Sequence, residues 1–273
     1  MPAPNQISIE QLNSLVGTPD CPIIIDVRIV EDFDLDPRLI PTAIRRSGFD
    51  AEHWAHHYDG QSVLVYCEKG LKISQGARAW LCHHGLDAAS LVGGFQAWRD
   101  AGLPLVPADK LPSRDDKGRT VWVTRSRPKI DRIACPWLIR RFVDPAAVFL
   151  FVDPGEVLTV ADRFDVTPFD IEGVHWSHRG EHCTFDTMIS KFGIATQALQ
   201  RLGQIVRGAD TAQPDLAPEA AGLLAISLGL SQMYQDDLEQ LEQGLLLYDA
   251  FYHYVRDAAD ETHNWPATKE VAV

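Results

Sequence analysis

The 273-residue sequence has no excess of basic residues and no apolar run long enough to cross a bilayer. Its 25 lysines and arginines are outnumbered by 38 aspartates and glutamates, which gives a net charge of −13. A protein whose whole surface binds nucleic acid needs the opposite balance, so we expect no nucleic-acid partner. None of the apolar stretches approaches the roughly 20 residues of a membrane-spanning helix, so we expect no membrane association.

The sequence also lacks a C-x-x-C pair. Its five cysteines are dispersed along the chain at Cys21, Cys67, Cys82, Cys135 and Cys183. An odd, scattered set is typical of free thiols in a reducing compartment rather than of a disulfide framework. The opening residues, MPAPNQISIEQL, have neither the basic nor the apolar segment of a signal peptide. These features predict a cytoplasmic protein.

The length predicts two domains, at roughly 100–200 residues each. We place the first at residues 1–106, a polar, proline-rich linker at 107–120, and the second at 121–273. In the first domain, continuous apolar runs predict buried strands at residues 21–27, 61–67 and 88–94. A helix is predicted between the last two, over residues 73–85, ending at a glycine. Strands that alternate with helices indicate a parallel α/β sheet.

The second domain is predicted to be mainly helical α+β. Strands are expected at residues 121–124 and 147–152, and helices at 130–142, 184–193, 195–208, 217–229 and 231–258, with Ser231 as the N-cap of the last. Pro136 lies inside the first of these helices, so we expect that helix to kink or to start late.

The segment VLVYCEKGLKIS (63–74) carries the clearest chemistry. A buried strand ends at Cys67 and a helix follows a short loop, which places the cysteine where parallel sheets hold their active sites. Loop N–H groups, the helix N-terminus, Lys69 and Lys72 would all favour a sulfur anion, and Gly70 gives the loop its conformational freedom. The local pattern alone fits a buried, inert thiol equally well.

The wider pattern resembles the rhodanese family of sulfurtransferases. The resemblance covers residues 23–106 and rests on IIIDVRIVEDF (23–33), IPTAIRRS (40–47), the six-residue loop CEKGLK (67–72) and GGFQAWRDAGLPL (93–105). It implies a thiosulfate sulfurtransferase-like enzyme in which Cys67 forms a persulfide by double displacement. The sulfur donor would resemble thiosulfate, the acceptor would be a thiol, and no cofactor is required.

The resemblance also implies roles for the neighbours of Cys67. The persulfide loop would consist of Glu68, Lys69, Gly70, Leu71 and Lys72. Asp26 and Arg28 would support the scaffold, as a structural ion pair more readily than as catalytic groups. The sequence departs from the family in having Lys72 where arginine is frequent and Ile73 where serine or threonine is frequent. A lysine keeps the charge but loses bidentate reach, which puts donor preference in doubt.

Segment 121–260 resembles the C-terminal domain of chromate-resistance regulatory proteins. The resemblance rests on VWVTRSRPKIDRIACPWLIRRFVDP (121–145) and HRGEHCTFDTMISKFG (178–193). The first stretch is rich in arginine, and guanidinium groups suit a tetrahedral dianion such as chromate or sulfate. The candidates for oxyanion binding are Arg125, Arg127, Arg132 and Arg140. The alternative is that these side chains form ion pairs with the acidic residues of the C-terminal part.

A possible metal site is indicated by the second stretch. Its imidazole, thiol and carboxylate groups at helical spacing suit Zn or Fe(II) better than Ca or Mg. The candidate ligands are His178, His182, Cys183 and Asp186, with the shell completed by Asp131 and Cys135 or by Asp236 and Asp237. The alternative is that these groups line a pocket or cap a helix. For the whole chain, the rival to a sulfurtransferase is a chromate or oxyanion sensor whose rhodanese-like domain is catalytically silent.

Overall fold

A parallel five-stranded sheet organises the first half of the chain in the computed structural model, which describes residues 5–259. Seven strands lie in this half: β1 Gln6–Ile7, β2 Ile23–Asp26, β3 Arg38–Leu39, β4 Ile44–Arg45, β5 Ser62–Tyr66, β6 Asp87–Leu91 and β7 Val106–Pro107. The sheet order is β1-β6-β5-β2-β4, which puts β5 at the centre, while β3 and β7 form a separate antiparallel pair. This confirms the predicted parallel α/β class.

Five α-helices accompany this sheet: α1 Ile9–Leu15, α2 Val30–Leu35, α3 Ala51–Trp54, α4 Lys72–His83 and α5 Gly94–Asp100. Short 3-10 turns flank α3 at Gly48–Asp50 and Ala55–Tyr58. Two hydrophobic clusters show which face each helix covers. Trp54 and Leu81, from α3 and α4, belong to one cluster, and Leu12 and Trp98, from α1 and α5, belong to the other. The sheet is therefore buried on both faces, which explains its uninterrupted apolar strands.

The second half contains a smaller parallel sheet and more helix. Its strands are β8 Val121–Arg125, β9 Val148–Val152 and β10 Thr167–Pro168, in the order β10-β8-β9. Its α-helices are α6 Asp131–Phe142, α7 Val157–Phe164, α8 Thr184–Lys191, α9 Gln197–Asp210, α10 Ala220–Met233 and α11 Asp237–His253. A 3-10 turn at Pro214–Leu216 precedes α10, and a π-helical turn at Tyr254–Ala258 follows α11. The mainly helical α+β character is confirmed.

Two details of the second half differ from the sequence-based expectation. Ser231 lies inside α10 and is not an N-cap, because the cap of α11 is Asp236, whose side chain accepts from the N–H groups of Leu238 and Glu239. Pro136 lies within a single helix that begins at Asp131, so the proline does not delay its start.

The segment predicted as a linker is ordered and pairs with both halves. Val106 and Pro107 pair with β3, and a 3-10 turn follows at Ala108–Lys110. Arg114 then pairs with the buried Asp144, with 3.2 Å between its Nη1 atom and Oδ2. Residues 107–120 thus hold the halves together by specific contacts.

The two halves share one apolar core. A single cluster of buried side chains runs from Leu12 and Val16 in the first half to Phe142 and Tyr252 in the second. Gly17 packs against the rings of Phe142 and Tyr252. A Cβ atom added to Gly17 would lie 2.4 Å from the first ring and 2.9 Å from the second. The Thr42 N–H also donates to the carbonyl of Phe142 at 3.1 Å.

Within residues 5–259, no helix combines the length and the apolar character needed to cross a membrane.

Candidate functional site

Cys67 lies directly after the central strand β5, at its carboxyl end. The side chain is 5% exposed, and its Sγ atom is 3.2 Å from the Oγ atom of Ser74 in the first turn of α4. Four residues, Glu68 to Leu71, separate the cysteine from the helix start at Lys72. The thiol therefore faces the positive end of a twelve-residue helix, as the strand–loop–helix pattern predicts.

The loop is clamped against the Gly93–Gly94 pair at the start of α5. Gly70 and Gly94 both have left-handed backbones, at φ 65 and 60°. A Cβ atom on Gly94 would stand 2.2 Å from the Cys67 carbonyl oxygen and 2.3 Å from the Gly70 nitrogen. The N–H of Phe95 donates to the Cys67 carbonyl at 3.0 Å, and that of Gln96 to the Glu68 carbonyl at 2.9 Å. The glycine pair thus fixes the loop's backbone by direct contact.

The loop leaves several backbone donors unpaired. In the described part of the chain, the N–H groups of residues 68–71 donate to no protein acceptor. Unpaired N–H groups beside a helix N-terminus are the usual protein site for an anion. The arrangement can therefore stabilise negative charge on a sulfur atom carried by Cys67.

The predicted loop side chains face different environments. Lys69, Leu71 and Lys72 are exposed, so both ammonium groups stand in solvent near the loop. Glu68 is half-buried with its Oε1 atom 3.9 Å from Nη1 of Arg99, and burial raises the pKa of its carboxyl group. Glu68 therefore belongs to the support of the loop rather than to its open side.

Asp26 and Arg28 form a buried ion pair beneath the loop. Their side chains are fully buried, with 2.7 Å between Nη2 and Oδ2. The arginine also donates to the carbonyls of Asp36 and Arg38, and its guanidinium lies 3.7 Å from the centre of the Phe95 ring. Burial alone would lower the pKa of Arg28, but the hydrogen bonds and charge of Asp26 outweigh it and raise that pKa. The pair links β2 to α5. In the described part of the chain, neither side chain contacts the Cys67 sulfur.

A cavity of about 450 Å³ lies between residues 27–31 and 45–49, close to the first turn of α4. Its lining includes Arg45, Arg46, Gly48 and Phe49. Gly48 packs closely on Ile73, in the first turn of α4, with 2.7 Å from its ideal Cβ position to the Ile73 Cγ2 atom. The two arginines give this cavity a cationic side.

The four arginines predicted to bind an oxyanion are not gathered into one site. Arg127 is taken up by carbonyls of the C-terminal part, including those of Tyr234 and Ser231, and Arg140 pairs with Glu242. These contacts correspond to the alternative of pairing with the C-terminal residues. Two arginines remain together.

Arg125 and Arg132 meet at a single carboxylate. Both contact the Oδ2 atom of Asp170, at 3.0 Å from Arg125 Nη2 and 3.4 Å from Arg132 Nε. Burial, and then the charge of Arg125, lower the pKa of Arg132. Of the four predicted arginines, these two therefore share one carboxylate.

The predicted metal ligands also separate, which corrects the expected set. His182 and Asp186 both contact Nη1 of Arg207, at 3.0 and 3.1 Å, so a cation already occupies that position. Cys183 is buried at the N-cap of α8, where its N–H and thiol both donate to Asp186. The proposed additional ligands divide similarly, because Asp236 caps α11 and Asp237 accepts from the Arg127 N–H.

His178 instead joins carboxylates from three other segments. Asp131 begins α6, Asp170 follows β10, and Asp210 ends α9. The Nε2 atom of His178 is 3.3 Å from Asp170 Oδ1, 3.5 Å from Asp131 Oδ2 and 3.4 Å from Asp210 Oδ2. We call these four residues the acidic cluster.

The acidic cluster favours a positive charge at its centre. The hydrogen bond from His178 to Asp170 outweighs the effect of partial burial. Together with the neighbouring carboxylates it raises the pKa of His178 to about 9. Burial and then the charges of the neighbouring aspartates raise the pKa of Asp131. For Asp170, hydrogen bonds from His178, Thr184 and Arg125 outweigh burial and lower the pKa. The cluster therefore holds a proton on the imidazole when nothing else supplies the charge.

Backbone strain is concentrated around the same cluster. Arg127, Ile130 and Asp170 have left-handed φ values of 55, 43 and 54°. A β-branched residue such as Ile130 rarely adopts this region, and such strain persists where the surroundings fix it, often at functional sites. Here it sets the direction of Asp131, the next residue, and of Asp170 itself.

Sequence reasoning missed Asp170 and Asp210 as members of a site. Forty residues separate them, and no local motif connects them. The rule that sites lie at the carboxyl ends of parallel strands would have indicated Asp170, had the two-residue strand β10 been predicted. Asp210 has no comparable signal, because it is the last residue of an ordinary amphipathic helix.

Comparisons with known proteins divide the chain in the same way as its two halves. Residues 8–101 match the family model for the rhodanese-like domain, and residues 122–255 match that for the C-terminal domain of ChrB. A curated relative, Protein ChrB of Cupriavidus metallidurans, is 34% identical over 155 residues. These residues are 55% of this chain and 46% of that protein, so the chain spans less than half the relative's length.

Two solved structures are similar to part of the chain. A rhodanese-related protein from Thermoplasma volcanium is 25% identical, with a TM-score of 0.33, and the match covers 38% of this chain and 98% of that one. A protein of unknown function from Rhodopseudomonas palustris, described as a possible tyrosine phosphatase, is 26% identical with a TM-score of 0.34. That match covers 37% of this chain and 83% of the other.

Proposed function

We propose, for a chain that consists of a rhodanese-like domain followed by a ChrB C-terminal domain, that Cys67 carries sulfur as a persulfide. The observation that supports this most strongly is the position of the thiol. It stands at the end of the central strand, above a loop of unpaired N–H groups and at the start of α4. Each of these features stabilises an anionic sulfur.

The reaction is a double displacement. The Cys67 thiolate attacks the outer sulfur of a thiosulfate-like donor, a new S–S bond forms, and sulfite leaves with the electron pair of the broken bond. A thiolate acceptor, or cyanide, then attacks the terminal sulfur and releases the Cys67 thiolate. The loop N–H groups stabilise the persulfide anion between the two steps.

The other residues attract the sulfur donor or support the Cys67 loop. Lys69 and Lys72 place two exposed positive charges beside the loop, which favours the arrival of an anionic donor. Gly94 lies against the loop backbone, and Arg28 packs on Phe95, whose N–H donates to the Cys67 carbonyl. The hydroxyl of Ser74 lies 3.2 Å from the Cys67 sulfur and can donate a hydrogen bond to its thiolate.

The test is the intact mass of the full chain after incubation with thiosulfate. We expect wild type to gain one sulfur atom and to lose it on addition of cyanide, and Cys67→Ser to gain none. Cys82→Ser is the matched control, because Cys82 lies in α4, the helix that follows the Cys67 loop, and is partly exposed. This variant should load sulfur like wild type. Sulfur loading of Cys67→Ser at the wild-type level would disprove the mechanism.

A second candidate is a sensor of oxyanions, supported by Arg125 and Arg132. They lie together on Asp170, Arg125 is 40% exposed, and their mutual repulsion would be relieved by an anion. Calorimetric titration with chromate and with sulfate tests this function. Arg132→Glu should abolish the binding heat, and Arg140→Glu, whose parent residue pairs with Glu242, should not change it. Absence of binding heat in wild type would refute the sensor.

A further inference from the structure

In the acidic cluster one imidazole nitrogen lies close to three carboxylates, as in an ion-binding site. One imidazole N–H can make one good hydrogen bond, yet Nε2 of His178 lies 3.3–3.5 Å from three different carboxylates. Charge-assisted hydrogen bonds are shorter, at about 2.7–2.9 Å. The three separations are almost equal, so the hydrogen bond to Asp170 is long and the nitrogen lies nearly as close to the other two carboxylates.

The distances from His178 Nε2 to Asp131 Oδ2 and to Asp170 Oδ1, 3.5 and 3.3 Å, are close to the edge length of a coordination tetrahedron. Zinc binds imidazole nitrogen and carboxylate oxygen at about 2.0–2.2 Å, which places neighbouring tetrahedral ligands about 3.4 Å apart. One ligand atom each from Asp131, Asp170 and His178 all lie within 4.8 Å of one another. A single ion could therefore contact all three side chains without a large rearrangement.

Asp131 gives independent support. Its side chain is 1% exposed, and its Oδ1 atom has no hydrogen-bond partner among the described residues. A buried carboxylate with an unpaired oxygen is costly unless another charge lies beside it. His178 contacts the other oxygen, Oδ2, at 3.5 Å, so Oδ1 remains without a partner in the described part of the chain.

The carboxylates are held from behind as metal ligands usually are. Thr184 donates its N–H to Asp131 Oδ2 at 2.6 Å and its hydroxyl to Asp170 Oδ1 at 2.8 Å. Arg125 and Arg132 hold the other oxygen of Asp170. Such outer contacts fix the direction of the ligands and are typical of built metal centres.

We infer that Asp131, Asp170 and His178 bind a divalent transition-metal ion. The imidazole favours Zn or Fe(II), and the carboxylates also suit Mn(II). The 42% exposure of the His178 side chain leaves the site open to solvent on that side, so the ion can exchange and can keep a water or an anion as a further ligand.

The experiment uses the untagged full-length protein after removal of metal with a chelator. Calorimetric titration with Zn²⁺ and with Mn²⁺ should show one site per chain, and Co²⁺ should give the intense visible absorption of a tetrahedral complex. His178→Gln should weaken binding of each ion by more than the roughly 10–100-fold that loss of an outer contact costs. Asp210→Asn removes a neighbouring charge but none of the three ligands, so it should weaken binding less.

The matched control is His182→Gln. This histidine also neighbours a carboxylate, Asp186, but lies outside the acidic cluster, so its variant should bind all three ions like wild type. Circular dichroism and the thermal midpoint of each metal-free variant show whether it is folded. The proposal is overturned if wild type binds neither Zn²⁺ nor Mn²⁺, or if folded His178→Gln binds as tightly as His182→Gln. Sulfur loading at Cys67 is measured separately and does not depend on this outcome.

Discussion

Gly94→Ala is expected to disrupt the Cys67 loop from the opposite side of its backbone. A methyl group at this position would stand 2.2 Å from the Cys67 carbonyl oxygen and 2.3 Å from the Gly70 nitrogen. Real Cβ contacts are essentially never shorter than 3.0 Å, so the loop backbone must move by about 0.8 Å. Both neighbours are backbone atoms, and no side-chain rotation can relieve the contact.

The magnitude follows from two costs. Placing an alanine at φ 60° costs about 1–2 kcal/mol, and overpacking costs about a further 1–3 kcal/mol. Gly85→Ala is the matched control, since Gly85 also has a left-handed φ of 84° but has nothing within 4 Å of an added Cβ. It should pay only the first cost. Each kcal/mol corresponds to about 2–4 °C in thermal midpoint for a chain of this size class.

Two measurements separate the effects. Urea unfolding gives the loss of free energy of unfolding, and the rate of sulfur loading from thiosulfate reports the position of the loop. We expect Gly94→Ala to be less stable than Gly85→Ala and to load sulfur more slowly, while Gly85→Ala loads like wild type. Equal stability and equal loading in the two variants would refute the argument that the glycine pair positions the loop.

Three further outcomes are expected elsewhere. Asp249→Ala should lower the free energy of unfolding, measured by urea denaturation, by about 3–5 kcal/mol. The substitution leaves the Trp137 N–H and the guanidinium of Arg141 without their shared carboxylate. A loss below about 1 kcal/mol would contradict this. Gly76→Ala should raise the free energy of unfolding by about 1 kcal/mol, since Gly76 lies inside α4 with open space around its Cβ position, and a lower thermal midpoint would count against it. Cys135 should resist alkylation in the native protein, because full burial raises the pKa of its thiol; peptide mapping that finds it modified at neutral pH before unfolding would show the burial to be wrong.

The first half was the more predictable from sequence, because its central strands are apolar and the sheet is buried on both faces. The runs at 21–27, 61–67 and 88–94 appear as β2, β5 and β6, each a few residues shorter than its run. The edge strands β1 and β4 were missed, since two residues are too few to show a period. The Cys67 loop could be located because one strand and one helix suffice to place it.

The acidic cluster could not be assembled from sequence for a physical reason. Its members come from a helix start, a strand end, a loop and a helix end, and only the packing of α6, α8 and α9 brings them together. Local spacing instead paired His178 with His182, four residues apart, and Cys183 with Asp186, three residues apart. In the structure His182 contacts Asp186, but Arg207 occupies the position where an ion would lie.

The apolar core shared by the two halves has a thermodynamic consequence. If neither half keeps its core without the other, both unfold in one cooperative transition, and a ligand of either half stabilises the other. An ion or anion bound in the second half at 100 times its dissociation constant would add about 2.7 kcal/mol to the free energy of unfolding of the whole chain. Segments around Cys67 would then open less often whenever the other half is occupied, although no atom of the ligand touches the loop.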